Sequence, residues 1–160
     1  MNKKKRSGKY RSLKIFLTFI GVIALLVVGG FLLLRYREST QKVIALDKLD
    51  QIELVQKGDH LWLKGNADIG KHRRIFVVDG TQSGNDAYIY VMEVFSFKQE
   101  SQVDRDITNS IGRELGTNTP IKNYYLVSGT RICGQGATRQ ENYTDATKYD
   151  QRRSLPIQSE

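Results

Sequence analysis

Residues 15–34 read IFLTFIGVIALLVVGGFLLL, twenty consecutive positions without a charged side chain. At about 1.5 Å of rise per residue, a helix of that length spans about 30 Å, the thickness of a bilayer's hydrocarbon core. Thr18 is the one polar side chain in the run, and a helical threonine hydroxyl bonds back to the preceding turn. Gly21, Gly29 and Gly30 would weaken a helix in water but are common in membrane helices. The buried helix of a soluble domain rarely stays free of polar groups for so long. A cleavable export signal has an apolar core of about 7–15 residues followed by small residues at its cleavage site. Here the core is longer, and Arg35-Tyr36-Arg37-Glu38 follows it. The stretch therefore predicts a retained signal-anchor that crosses the membrane once. It contains no Gly-x-x-x-Gly spacing, so nothing in it signals helix dimerisation.

Working outward toward the N-terminus, residues 1–14 hold Lys3, Lys4, Lys5, Arg6, Lys9, Arg11 and Lys14 and no acid. Nearly all of the formal net charge of +8 belongs to this segment, and the chain beyond the apolar run is close to neutral. The pI of about 9.6 thus describes a tail and not a basic folded surface. Nucleic-acid binding calls for a basic face on the domain itself, so no nucleic-acid partner is expected. The positive-inside rule places residues 1–14 in the cytoplasm and the C-terminal domain outside. Attraction of the tail to anionic lipid is a compatible second use. The lipid bilayer is the first expected partner.

On the other side, residues 35–50 read as a juxtamembrane stalk and residues 51–133 as a β-rich extracytoplasmic domain. Strands are expected at 52–55 and 60–64, joined at Lys57-Gly58-Asp59, a glycine-containing hairpin signal. A third is expected at 74–78, ending at Asp79-Gly80 before a polar loop, TQSGND. Residues 88–97, YIYVMEVFSF, are apolar on both faces except for Glu93 and Ser96, as expected of a central strand. In residues 102–115 Val103, Ile107, Ile111 and Leu115 recur every four positions. Ser101 and Asp104 form a capping-box pattern, and Gly116 follows the last apolar position. That pattern predicts one amphipathic helix packed on the sheet. A last strand is expected at 123–133, with Gly129 marking a bulge. Residues 134–160 carry eight charges and two large aliphatics, Leu155 and Ile157, a composition that predicts a polar, disordered tail. The expected fold class is α+β: one transmembrane helix, then a small antiparallel sheet with one packed helix.

The chemistry gathers around Cys133, the one thiol; His60 and His72 are the two histidines. One cysteine forms no internal disulfide, and no His, Cys or carboxylate pair has metal-ligand spacing on a readable element. Neither a metal nor a cofactor is expected. Cys133-Gly-Gln-Gly-Ala-Thr-Arg139 resembles the phosphate-binding loop of cysteine-dependent phosphatases, in which thiolate and arginine share the phosphate. Ile132 and Gln140 stand where that family has His and Ser/Thr. The layout of cytoplasmic tail, anchor, external β domain and late cysteine is similar to that of a sortase. That resemblance casts Cys133 as nucleophile with His72 and Arg139 beside it, although Gly129-Thr-Arg-Ile-Cys133 replaces the family's Thr-Leu-x-Thr-Cys motif. The plainer account of Cys133 is a small hydrophobe at a strand end. Trp62, Tyr88 and Tyr90 are candidates for an aromatic partner-binding patch, because Tyr and Trp are favoured at interfaces; the same rings suit a core. The expected function is that of a non-enzymatic accessory or assembly module of a cell-envelope complex, bound to other membrane or envelope proteins. An envelope enzyme using Cys133 is the alternative.

Overall fold

The computed structural model describes residues 5–113, 119–131 and 146–159. The chain divides into two compact units, Met1–Ser39 and Thr40–Glu160, and is α+β: one long apolar N-terminal helix followed by mixed sheets.

The first unit is a single helix, α1 (Lys5–Ser39). Its Ser12–Ser39 portion is long and apolar enough to cross a membrane, and none of it is buried against protein. Bulky apolar side chains such as Phe16, Leu25, Leu26 and Phe31 stand exposed around it. As its spacing predicts, the Thr18 hydroxyl donates to the Lys14 carbonyl at 2.9 Å.

Among the described residues, the second unit holds ten strands in two sheets. The strands are β1 (Lys42–Val43), β2 (Leu49–Lys57), β3 (His60–Ala67), β4 (Arg73–Ser83), β5 (Asp86–Phe95), β6 (Gln102–Asp106), β7 (Ile111–Arg113), β8 (Asn123–Arg131), β9 (Tyr149–Ser154) and β10 (Ile157–Ser159). The larger sheet runs β7-β4-β5-β8-β9, with β1 also on β5, and the smaller runs β10-β2-β3-β6. Three pairings are parallel, β4 with β7, β5 with β8 and β10 with β2, and the rest are antiparallel. The sheets are thus mixed where an antiparallel one was expected.

Both hairpin turns follow from glycine. Lys57 pairs with His60 and Ser83 with Asp86, so each turn has two central residues, Gly58-Asp59 and Gly84-Asn85. In each the glycine has φ 59°, the left-handed region that glycine enters at least cost. The TQSGND segment is therefore a tight turn with its first three residues still in β4. Likewise β4 continues past Asp79-Gly80, where a strand end was expected.

One core joins the sheets. Leu49, Leu54, Leu63 and Val103 from the smaller sheet meet Ile75, Val78, Ile89, Val91 and Leu126 from the larger, all nearly without solvent access. A second cluster lies on the other face of the larger sheet, where Tyr90, Met92, Val127, Ala146 and Tyr149 are buried with Tyr88 and Tyr125 against them. The alternation along β5 assigns 89 and 91 to one cluster and 88, 90 and 92 to the other. The expected central strand is apolar on both faces because both faces are covered.

Three expectations are corrected. Residues 102–113 contain strands β6 and β7 and not the packed helix; residues 114–115 lie outside the described residues. A four-residue spacing of apolar side chains satisfies the strand period of two as well as the helical 3.6, and here Val103 in β6 and Ile107 just after it are both buried. Asp106 Oδ1 accepts the Thr108 N–H at 3.0 Å. That side-chain-to-backbone bond competes with a helical turn. The expected stalk is also shorter, because α1 reaches Ser39 and the next residues belong to the domain. Lys42 and Val43 pair with Glu93 and Met92, and Ile44 and Leu49 are buried. Finally, residues 146–159 are folded. β9 pairs along β8, β10 along β2, and Leu155 is 4% exposed in the main core. A strand that joins an existing sheet gains ladder hydrogen bonds and needs few apolar anchors, so averaged composition understates its order.

The domain has two distinguishable ends. Thr40, Arg73 and Phe95 lie at one: the Phe95 N–H donates to Thr40 Oγ1 at 3.0 Å and Arg73 donates to the Thr40 carbonyl at 3.0 Å. The sheets are joined there, with the Ile75 N–H on the Glu100 carbonyl at 2.9 Å. Both hairpin turns lie at the other end. β5 has ten residues, which at about 3.3 Å per residue separates the ends by about 30 Å.

Candidate binding cleft

A cleft of about 210 Å³ opens at the end of the domain away from Thr40. The β2–β3 turn brings Gln56, Asp59, His60 and Leu61 to it, while Thr108 and Ile111 come from the β6–β7 connection. Ile121 and Tyr124 come from β8 and the residues before it, and Ile157 from β10. The two sheets therefore build the cleft jointly. Its walls are apolar at Leu61, Ile111, Ile121, Tyr124 and Ile157, with Gln56, Asp59, His60 and Thr108 as polar groups. Small-molecule sites commonly enclose about 300–1,000 Å³, so this cleft suits a side chain or a short segment of a partner.

A hydrogen-bonded cluster fixes the polar side. His60 Nδ1 lies 2.7 Å from Asp106 Oδ2. The Thr108 hydroxyl donates to Asp106 Oδ1, and the same hydroxyl oxygen accepts the Leu61 N–H at 2.8 Å. The Ile107 N–H returns to the Leu61 carbonyl at 2.8 Å. Thr108, through its hydroxyl and its N–H, holds the Asp106 carboxyl below its ordinary pKa. Burial raises the Tyr124 phenol. His60 and Thr108 approach different oxygens of one carboxylate, so the histidine is not placed to take the threonine's proton. The arrangement orients an imidazole at a cleft edge and does not assemble a nucleophile–base pair. Among the described residues no group of three or more His, Cys, Asp or Glu side chains could hold a metal ion.

The residues singled out from sequence fall elsewhere. Cys133 and Arg139 lie outside the described residues. His72 is exposed at the Thr40 end, its ring 6.4 Å from that of Phe95. Tyr88 and Tyr90 share the second cluster. Tyr88 stacks on Tyr125 at 5.6 Å beneath the Arg152 guanidinium. Tyr90 is 5% exposed, its ring 6.2 Å from Tyr149; burial, then the Asp79 carboxylate, pushes its phenol up. Trp62 belongs to the smaller sheet, on the face opposite Leu61 and Leu63. The three rings do not form one patch, and Tyr90 is a core residue. The His60–Asp106–Thr108 cluster escapes sequence reading because its members are separated by 46 residues and follow no motif.

Neither a protein-family model, nor a curated protein, nor a solved structure matches the chain.

Proposed function

We propose that this chain is a single-pass membrane protein whose outer domain is a non-enzymatic binding module of a cell-envelope complex, with the cleft between the hairpin end of the sheets as its contact site. In this reading residues 1–14 are cytoplasmic and the domain faces outside. The basic residues before the apolar run and the scarcity of cysteine suit a bacterial plasma membrane protein. One observation carries the proposal: the two sheets jointly build a cleft of mixed apolar and polar lining at the hairpin end of the domain. A mixed apolar and polar concavity too small for most ligands fits a protein partner's protruding side chain.

The test is photo-cross-linking in intact cells. A photoreactive side chain at Asp59, on the cleft edge, is expected to give a discrete adduct with another membrane or envelope protein. The same group at Glu53, exposed on β2, is expected to give none. Adding Ile157→Glu should abolish the Asp59 adduct. Equal patterns from both positions, or an adduct indifferent to Ile157→Glu, would remove the cleft from the function.

A further inference from the structure

The polar side chains of the cleft have their hydrogens committed inside the protein and their acceptors left over. Gln56 donates through Nε2 to the Gly58 carbonyl at 3.3 Å, and among the described residues its Oε1 has no partner. Beside a carboxylate, the proton of a neutral imidazole sits on the nitrogen that faces it. His60, with Nδ1 2.7 Å from Asp106 Oδ2, therefore presents Nε2 as an acceptor. The Thr108 hydroxyl gives its one hydrogen to Asp106 Oδ1. Asp59 adds an exposed carboxylate that no cation engages among the described residues. Tyr124 keeps its hydroxyl hydrogen, but a phenol oxygen also accepts. None of the lining residues is lysine or arginine, and Lys57 and Lys122, the nearest cations in sequence, are not among them.

We propose that the guest of this cleft is a basic side chain, lysine or arginine, of the protein partner. Its methylene stem lies along Leu61, Ile111 and Ile157, and its cationic head among the Asp59 carboxylate, Gln56 Oε1 and His60 Nε2. The inference rests on the reading of the cleft as a contact site and adds the chemistry of what enters it. Lysine and arginine heads carry donors and no acceptor, the complement of a lining whose donors are spent. Both residues also bury an aliphatic stem while holding the charge at a polar edge, which matches a cleft with one apolar and one polar side. An acidic guest would set further acceptors against Asp59 with no hydrogen to bridge them. An uncharged aliphatic guest would fill the apolar wall but strip water from Asp59 without replacing it.

Two measurements on the full-length chain test the proposal. In intact cells, an apolar diazirine side chain at Ile121, on the cleft wall, leaves every acceptor in place. It is expected to give a stronger adduct than the photoreactive group at Asp59, which removes the carboxylate. Asp59→Lys should cut the Ile121 adduct about tenfold or more, as loss of a charged hydrogen bond implies, and Glu53→Lys should leave it unchanged. An Ile121 adduct indifferent to Asp59→Lys would overturn the basic guest and leave the contact site standing. No adduct from Ile121 or from Asp59 would remove the contact site, and the basic guest with it. In mild detergent, N-acetyl-lysine methylamide is expected to move the methyl signals of Leu61, Ile111 and Ile157 in a saturable NMR titration. The norleucine analogue, which keeps the stem and lacks the ammonium, should need about ten times the concentration. Norleucine binding as tightly as lysine, or no saturable shift from either, overturns the proposal.

Discussion

Individual residues carry the fold's tightest constraints where backbones approach. Gly65 has φ 148°, and a Cβ there would meet the Gln51 carbonyl oxygen at 2.6 Å and the Ile52 Cα at 2.9 Å. Gly129 has φ 98°, and its Cβ would collide with the Asp150 carboxylate. Gly58 also has positive φ but open space around it. Gly65→Ala, which meets backbone, should therefore cost roughly 2–5 kcal/mol through strain and overpacking, and Gly129→Ala less, because the Asp150 carboxylate it meets ends a side chain that can turn away. Gly58→Ala should cost about 1 kcal/mol, from its left-handed backbone alone. Thermal unfolding of the full chain in mild detergent, followed by far-UV circular dichroism, checks the ranking. Asp106 gives a pH prediction of definite sign. Its folded pKa lies below the ordinary value because Thr108 bonds the charged form. The contribution is present above the unfolded carboxylate pKa and is lost as pH falls through the depressed folded one. Thr108→Val should move the Asp106 carboxyl midpoint upward in a carbon-detected NMR titration and start acid unfolding at higher pH. An unmoved midpoint would sink this account.

At the scale of elements, the sheets depend on contributions that local sequence hides. Glu93 on β5 is 5% exposed, with Arg73 at 3.2 Å and Lys42 at 3.0 Å, and this charge cluster seats β1 beside β5. Arg73 is also largely buried whereas Lys42 is 59% exposed. Arg73→Ala, which strips a buried carboxylate of its inner partner, should cost about 3 kcal/mol. Lys42→Ala should cost less than about 1 kcal/mol. Chemical denaturation of the two variants gives the comparison. The C-terminal strands make a similar case: Leu155→Ala should cost about 2–5 kcal/mol, and a stop codon after residue 145 should abolish cooperative unfolding. A tail without structure would tolerate both changes. The same elements show what was legible beforehand. The apolar run, the Gly58-Asp59 hairpin, the central strand and the Gly129 bulge each follow from one local signal, whether unbroken hydrophobicity, a turn dipeptide or a glycine that no other residue replaces. The β6–β7 region misleads because Val103 and Ile107, four apart, fit two periods equally well. β9 and β10 hide because their order comes from partners far along the chain: the exposed Arg152 lies over the Tyr88 ring and Arg153 donates to the Leu49 carbonyl. The cleft was not legible at all. Its cluster joins His60 to Asp106 across strand pairing that no single segment encodes.

At the scale of the whole molecule, the decisive asymmetry is between the two flanks of the apolar run. Lys3, Lys4, Lys5, Arg6, Lys9, Arg11 and Lys14 precede it, and Arg35, Arg37 and Lys42 follow closely. Orientation follows the balance of basic residues near the helix ends and responds little to acids. Seven basic residues before the run thus stand against three after it. A C-terminal alkaline phosphatase fusion, active only outside the cytoplasm, should be active on the wild-type chain in a bacterial host. Replacing Lys3, Lys4, Lys5, Arg6, Lys9 and Arg11 by glutamine should lower that activity and raise the signal of a matched cytoplasmic reporter. Adding acids to the domain surface should change neither. If the wild-type fusion is inactive while the cytoplasmic reporter is bright, the domain lies inside, and the cleft would have to find its partner there. An outward signal that survives removal of the basic cluster would instead mean that the charge balance does not set the orientation.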